Sequence, residues 1–425
     1  MATDRQVITT LEPFPHEFVS SVYLCTTPTA KGEALKFLVG TLPQHTVLFT
    51  PKDVSECSQQ DVSVDAMIKW ENDALSMADI ILFWLPAPTH EHVETFPHLE
   101  LGVWASSGKV IYGCESSGDP DDLNLQLKLS RIRAVLKKAK VEEQPTLVAA
   151  VETICKRLGK ASQIRLKGER KVPLHVWNTG SFQEWYRNMK RVHNRLDDAS
   201  FEWAFRVGPG GVFTLFWVMH VDVHVAAEQR NKSNEIVISR PDISVVLAYQ
   251  KATRHLDTKV VLIKEFRSPA RTDDCFVHEL PGGSSFKPDK DIYQNAQEEL
   301  QQETGCVVDK SRLRYHKSRQ LGATVTAHHA HLFSVELTGP EMDRLQRDAD
   351  AGKTLGNADE TELTYVEVHP LAHLCQSKLV DWSTLGMIYS VLFAEQAKAD
   401  VEIFGQVAKD EEVVVKPHRK RCVIS

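Results

Sequence analysis

The sequence predicts an α/β protein in two domains, the first built around a parallel sheet and the second of α+β type. Three observations carry that expectation. Short apolar runs alternate with helical stretches through the first third of the chain. Two β-branched runs, at 243–250 and 259–267, flank a polar stretch in the manner of a hairpin. An acidic helical stretch then follows and stops at Gly305. A chain of 425 residues with 42% hydrophobic content has room for two or three globular cores.

Residues 21–24 (SVYL), 78–86 (ADIILFWLP) and 109–113 (KVIYG) read as strands, with helices between them at 32–42 and 64–75. Such alternation builds a parallel sheet whose ligand lies beyond the carboxyl ends of the strands. Those ends are polar loops at 26–28, 86–88 and 114–117. The charged stretch 163–172 (QIRLKGERKV) marks the expected boundary, giving a first domain over 1–165. Residues 166–242 are expected as a β-rich extension of the second domain. There, 181–198 reads as helix, 212–228 as strand, and GPGG at 208–211 as a hairpin turn. The second domain spans 243–405, with its last core helix at 380–399, and 406–425 reads as a flexible tail.

The most informative stretch is 278–306, HELPGGSSFKPDKDIYQNAQEELQQETGC. Glu299, Gln302 and Glu303 stand at i, i+3 and i+4 and share one helix face. Two carboxylates a turn apart beside a glycine loop can hold Mg²⁺ (or Mn²⁺) against a diphosphate, because magnesium takes hard oxygen ligands and keeps positions for phosphate. Gly282 and Gly283 allow backbone groups to approach the same metal or phosphate.

This segment resembles the Nudix box, G-x5-E-x7-R-E-U-x-E-E-x-G-U. Glu299 and Glu303 fall on its first and last metal-binding glutamates, with Leu300 and Cys306 at apolar positions. Three departures stand out. Glu298 replaces the arginine, Gln302 replaces a glutamate, and the loop is one residue longer. The family's arginine pairs with a loop glutamate, and the matching loop position here is Lys290, so the pair is charge-swapped. The phrases KEFRSPA, HELPGG, GATVTAHHAHLF and GNADETE resemble the ADP-ribose and nucleotide-sugar pyrophosphatase branch. That resemblance implies a Gly282 carbonyl on the metal, Arg267, Gly282 and Gly283 on the substrate, and Glu360 or Glu362 positioning the attacking water. It also implies a homodimer built by the β-rich segment. Glu360 and Glu362 read equally as a solvated loop, and His328, His329 and His331 as ordinary strand and loop histidines.

The first third is similar to the nucleoside 2-deoxyribosyltransferase-like family, through VYL, WENDAL, the AD-apolar-FWLP strand and LELG. The resemblance implies a Rossmann-like parallel sheet. It places Glu100 on the nucleophile, Asp73 on the acid/base, Tyr23 on the tyrosine that steadies the nucleophile, and Glu94 near a sugar-binding acid. A carboxylate attacking an anomeric carbon while a second acid protonates the leaving base is coherent chemistry. Glu100 has a plainer reading as an acid at a helix N-terminus, and Asp79 reads as a turn or cap residue.

A net charge of −7 gives no global case for nucleic-acid binding. Eight cysteines without a C-x-x-C pair suit a reducing compartment and argue against structural zinc. No run approaches the ~18 apolar residues of a membrane span, and the start of the chain shows no secretory signal. The end, KPHRKRCVIS, fits a C-a-a-X prenylation pattern at Cys422 behind Lys416, Arg419, Lys420 and Arg421. The expected partners are therefore a nucleotide or nucleoside substrate, a prenyltransferase and an anionic membrane surface, with the protein held on the cytosolic face. Two functional readings stay open. One is a metal-dependent nucleotide-processing enzyme, and the other is a catalytically degenerate nucleotide-binding scaffold or sensor.

Overall fold

The computed structural model describes residues 6–52, 63–85, 95–114, 121–208, 211–284, 290–356 and 363–401. The protein is α/β, with a six-stranded parallel sheet and a separate mixed sheet. The chain divides between Asp242 and Ile243 into two compact units, and residues 320–328 join the first. Among the described residues, no helix is long and apolar enough to cross a membrane.

In the first unit, strands Val7–Thr9, Thr46–Thr50, Ser20–Thr26, Ile80–Leu85, Val110–Cys114 and Glu143–Gln144 lie side by side in that order, all parallel. All six residues of Ile80–Leu85 are buried, as an apolar run covered on both faces requires. Alternate residues serve opposite faces. Val22, Leu24, Leu82 and Trp84 pack with helices Pro28–Thr41 and Leu147–Leu158. Tyr23, Cys25, Ile81 and Phe83 face helices Val64–Met77 and Thr95–Trp104 instead. Tyr23 is thereby committed to the face that carries Glu100.

The expected boundary at 165/166 falls inside this unit. Arg165 is fully buried, ion-paired with Asp79, donating from Nη1 to the Val172 carbonyl at 2.9 Å. Its guanidinium lies 5.3 Å from the Phe18 ring and 5.8 Å from that of Trp177. A charged run reads as solvated until the residue that turns inward is known. Asp79 is correspondingly more than a turn residue, because its Oδ2 also accepts from the Ser21 N–H at 2.9 Å.

Residues 166–242 belong to the first unit rather than to an extension of the second. Helix Gly180–Arg191 buries Phe182 and Tyr186 beside Trp177 and Trp217. Residues 195–198, expected as the end of that helix, open the antiparallel sheet Arg195–Val207, Phe213–Val225 and Arg230–Ser239. Its buried Trp217, Met219 and Val221 join the core of the parallel sheet. Gly208 and Gly211 flank the hairpin turn at φ of +79° and +65°, which favours glycine at both.

The second unit holds the mixed sheet. Strands Ile243–Gln250 and Lys259–Phe266 pair directly only at Tyr249↔Val260 and Gln250↔Lys259. They then part, and the chain from Phe276 to Gly283 fills the fork. Strand Phe276–Glu279 pairs with Lys259–Phe266, whereas Gly282–Gly283 pairs with Ile243–Gln250. Outside the fork, His329–Glu336 runs parallel to Ile243–Gln250, and Thr364–Pro370 antiparallel to Lys259–Phe266. Helix Ile292–Thr304 covers one face, burying Ala296 and Leu300 against Val246, Val261 and Val366. The final helix, Trp382–Val401, stands where the sequence places it.

Candidate functional site

The fork in the second unit gathers four acidic side chains, those of Glu265, Glu279, Glu299 and Glu303. Helix Ile292–Thr304 starts at Asp291, whose side chain accepts from the Tyr293 N–H at 3.1 Å. It ends at Gly305, a left-handed cap at φ +65° whose N–H donates to the Gln301 carbonyl. Between these ends, Glu303 Oε2 accepts the Gly282 N–H at 2.8 Å. Glu299 lies against Gly283, where a Cβ would stand 2.7 Å from its Oε2. A Cβ on Gly282 would stand 2.5 Å from the Ser244 carbonyl oxygen, so backbone closes that position to any other residue, whereas a Cβ on Gly283 would displace the Glu299 carboxylate.

The pleat adds two acids that sequence reasoning did not single out. Glu265 shares the helix-covered face with Val261, and Glu279 stands opposite Ile263 on that same face. Burial, the neighbouring Glu299, and then Glu279 and Glu265 hold the Glu303 carboxyl well above its usual range, opposed by the Gly282 N–H. Mutually repelling carboxylates around a glycine turn make a hard-oxygen donor set, which suits Mg²⁺. Among the described residues, no group of three or more acidic, histidine or cysteine side chains is arranged to hold a metal ion. Magnesium does not need one, since one or two carboxylates with substrate phosphates commonly suffice.

Gly282 contributes its N–H to Glu303, while the carbonyl held by a side chain is that of Gly283, which accepts from Asn295 Nδ2 at 2.8 Å. Lys290 and Glu298 form the charge-swapped pair, Nζ to Oε2 at 2.7 Å. Arg267 is exposed and bridges to Glu265 at 2.9 Å. Gln302 is exposed on the helix. Glu360 and Glu362 lie outside the described residues, as do Glu94 and Cys422.

A second cluster occupies the first unit. Tyr23 is buried, and its hydroxyl is pushed well up by burial and by the negative charges of Cys25, Glu71 and Glu100. Glu100 is half-buried and accepts from the Trp104 indole N–H at 3.1 Å. Burial raises its pKa, offset by that bond. Glu71 is raised by burial and by the charge of Glu100. Both carboxyls are thus held above their usual range, chiefly by burial.

Tyr23 thus lies within electrostatic reach of Glu100 and of Glu71, which sequence reasoning missed. Asp73 is half-buried on the same helix. Residues two apart on a helix project about 200° from each other, so Glu71 and Asp73 cannot both point at one site. The helix's burial of Trp70, Ala74 and Leu75 was the available signal. No protein-family model and no curated protein matches this chain.

Proposed function

We propose that the second unit is a metal-dependent hydrolase of a nucleoside diphosphate linked to another moiety, with ADP-ribose or a nucleotide sugar as the first substrates to try. The observation that carries this reading is the Glu303 carboxylate, fixed by the Gly282 N–H with Glu299 beside it on a glycine turn. Glu299 and Glu303 would hold Mg²⁺, which supplies charge neutralisation on the diphosphate and an activated water. Gly282 fixes the direction of Glu303, and the Gly283 backbone leaves room for Glu299. Arg267, exposed and bridged to Glu265, would meet the anionic substrate in this proposal.

The first unit, in this proposal, binds or cleaves the N-glycosidic bond of a nucleoside or nucleotide. The Glu100 carboxylate attacks the anomeric carbon, the bond to the base breaks, and a neighbouring protonated carboxyl delivers its proton to the departing base. Tyr23, kept neutral by its surroundings, can donate a hydrogen bond to Glu100.

The test is a screen of purified protein against dinucleotides, nucleotide sugars and nucleosides with Mg²⁺ or Mn²⁺, read by product chromatography. Diphosphate cleavage should appear with wild type and vanish in Glu303→Gln. Cleavage that survives at full rate in Glu303→Gln rejects the metal assignment. The exposed, neutral Gln302 favours a second reading, a nucleotide-binding scaffold without turnover, for which the screen finds binding and no product.

A further inference from the structure

We propose that Asn295 is a positioning residue for the acidic site of the second unit, and that the charge-swapped pair Lys290–Glu298 exists to orient its amide. The inference rests on the reading of Glu299 and Glu303 as metal ligands. It concerns what holds the glycine turn against them.

Asn295 is buried in the helix, 4% exposed, and both ends of its amide are engaged. Oδ1 accepts from Lys290 Nζ at 2.9 Å, and Nδ2 donates to the Gly283 carbonyl at 2.8 Å. An ammonium can only donate and a carbonyl can only accept, so these two neighbours leave the amide one orientation. Lys290 is in turn held by Glu298 Oε2 at 2.7 Å, while Glu298 Oε1 accepts from Gln294 Nε2 at 2.8 Å. The chain of contacts runs from Gln294 through Glu298, Lys290 and Asn295 to the Gly283 carbonyl. Glu303 takes the N–H of Gly282, so the two-glycine backbone is gripped by the helix at both residues.

The sign of the charge swap has a consequence. A loop carboxylate at position 290 would demand the amide NH₂ group, turning Oδ1 toward the Gly283 carbonyl, where two acceptors would meet. Of the two signs the pair could carry, the cation at 290 is the one that aims the donor of Asn295 at the turn. An ion pair that merely closed the loop would work with either sign.

Mn²⁺ binding to the full chain, followed by electron paramagnetic resonance, separates these roles without requiring turnover. Asn295→Asp keeps the shape and the bond to Lys290 but cannot donate to Gly283. It should weaken Mn²⁺ binding about ten- to hundredfold, the usual effect of losing an outer-shell partner, with the thermal transition retained. Lys290→Arg should bind within about threefold of wild type, since a cation remains. The double exchange Lys290→Glu with Glu298→Lys should recover the thermal transition lost in either single variant, yet leave Mn²⁺ binding weak. Wild-type affinity in Asn295→Asp, or affinity restored by the double exchange, overturns the proposal while leaving the metal reading intact. Wild type that binds no more Mn²⁺ than Glu299→Gln/Glu303→Gln overturns the metal reading, and this inference with it.

Discussion

Arg165 reaches back 86 residues to Asp79, and their side chains keep 0% and 1% of their surface exposed. A pair sealed in this way is costly to break from one side, because the remaining charge has no water and no opposite charge paired with it, only neutral hydrogen-bond partners such as the Ser21 N–H. Arg165→Met should therefore destabilise the first unit by about 3–5 kcal/mol. Asp79→Asn/Arg165→Met should cost less than the sum of the two single changes. Urea unfolding followed by tryptophan fluorescence measures both, and a loss below about 1 kcal/mol for Arg165→Met would place the pair at a solvated surface.

Lys109 is buried beside that pair, its Nζ donating to the Ser76 carbonyl at 2.7 Å and to the Leu75 carbonyl at 3.3 Å. Burial lowers its pKa to about 7, with Asp79 opposing and Arg165 reinforcing the shift. A free lysine titrates near about 10.4. Between about pH 7 and 10 the unfolded chain therefore holds a proton that the folded chain has released. Stability of the first unit should rise with pH through that window, and the full cost of charging Lys109 falls below it. Melting temperatures from pH 6 to 9.5 should climb in wild type and climb less in Lys109→Met. Equal slopes in the two proteins would remove Lys109 from the account.

Glu71 should matter more than Asp73 to any glycosidic cleavage by the first unit. Loss of a general acid typically costs 10²–10⁴-fold, so Glu71→Gln should lower kcat/KM for a purine nucleoside by about a hundredfold or more. The same variant should retain most activity on a 4-nitrophenyl glycoside, whose leaving group needs no proton. Asp73→Asn should change neither by more than about threefold, as expected away from the reacting atoms. Rates that collapse in Asp73→Asn and persist in Glu71→Gln would reverse the assignment. Carbon-13 titration gives a readout without substrate, because the Glu71 carboxyl should titrate lower in Glu100→Gln.

Gln302 is one turn from Glu299 and exposed. Gln302→Glu adds a hard anionic ligand at the edge of the acidic site. It should tighten Mn²⁺ binding several-fold while leaving the unfolding transition within about 0.5 kcal/mol, as for other surface changes. Unchanged metal affinity would mean that position 302 faces away from the ion.

The sheets and helices were legible because their patterns are local. Residues 80–85 announce a doubly covered strand, and Gly305 announces the end of its helix. Lys290 and Glu298 were legible as a pair because the motif's spacing ties the loop to the helix. Arg165 was not, since an arginine in a charged run looks like every solvated arginine until its partner far upstream is known. Glu71 was hidden by helix phase, which the sequence leaves free to rotate by one residue against the sheet. Glu265 and Glu279 were hidden by the fork, which exists only once distant strands have paired.

That fork also sets an order of assembly. The two central strands of the second unit can zip locally at Tyr249 and Gln250, a fast event on the scale of hairpins. Their remaining length cannot close on itself. It waits for residues 276–283 to enter and for His329–Glu336 to arrive along the outer edge, steps slowed by the entropy of closing long loops. The glycine turn and its acids should consequently be completed late in folding, as low φ-values at Ser244 and Glu303 would show. A chain stopped short of that closure would lack Phe333 and Val335 from its core as well as the completed site.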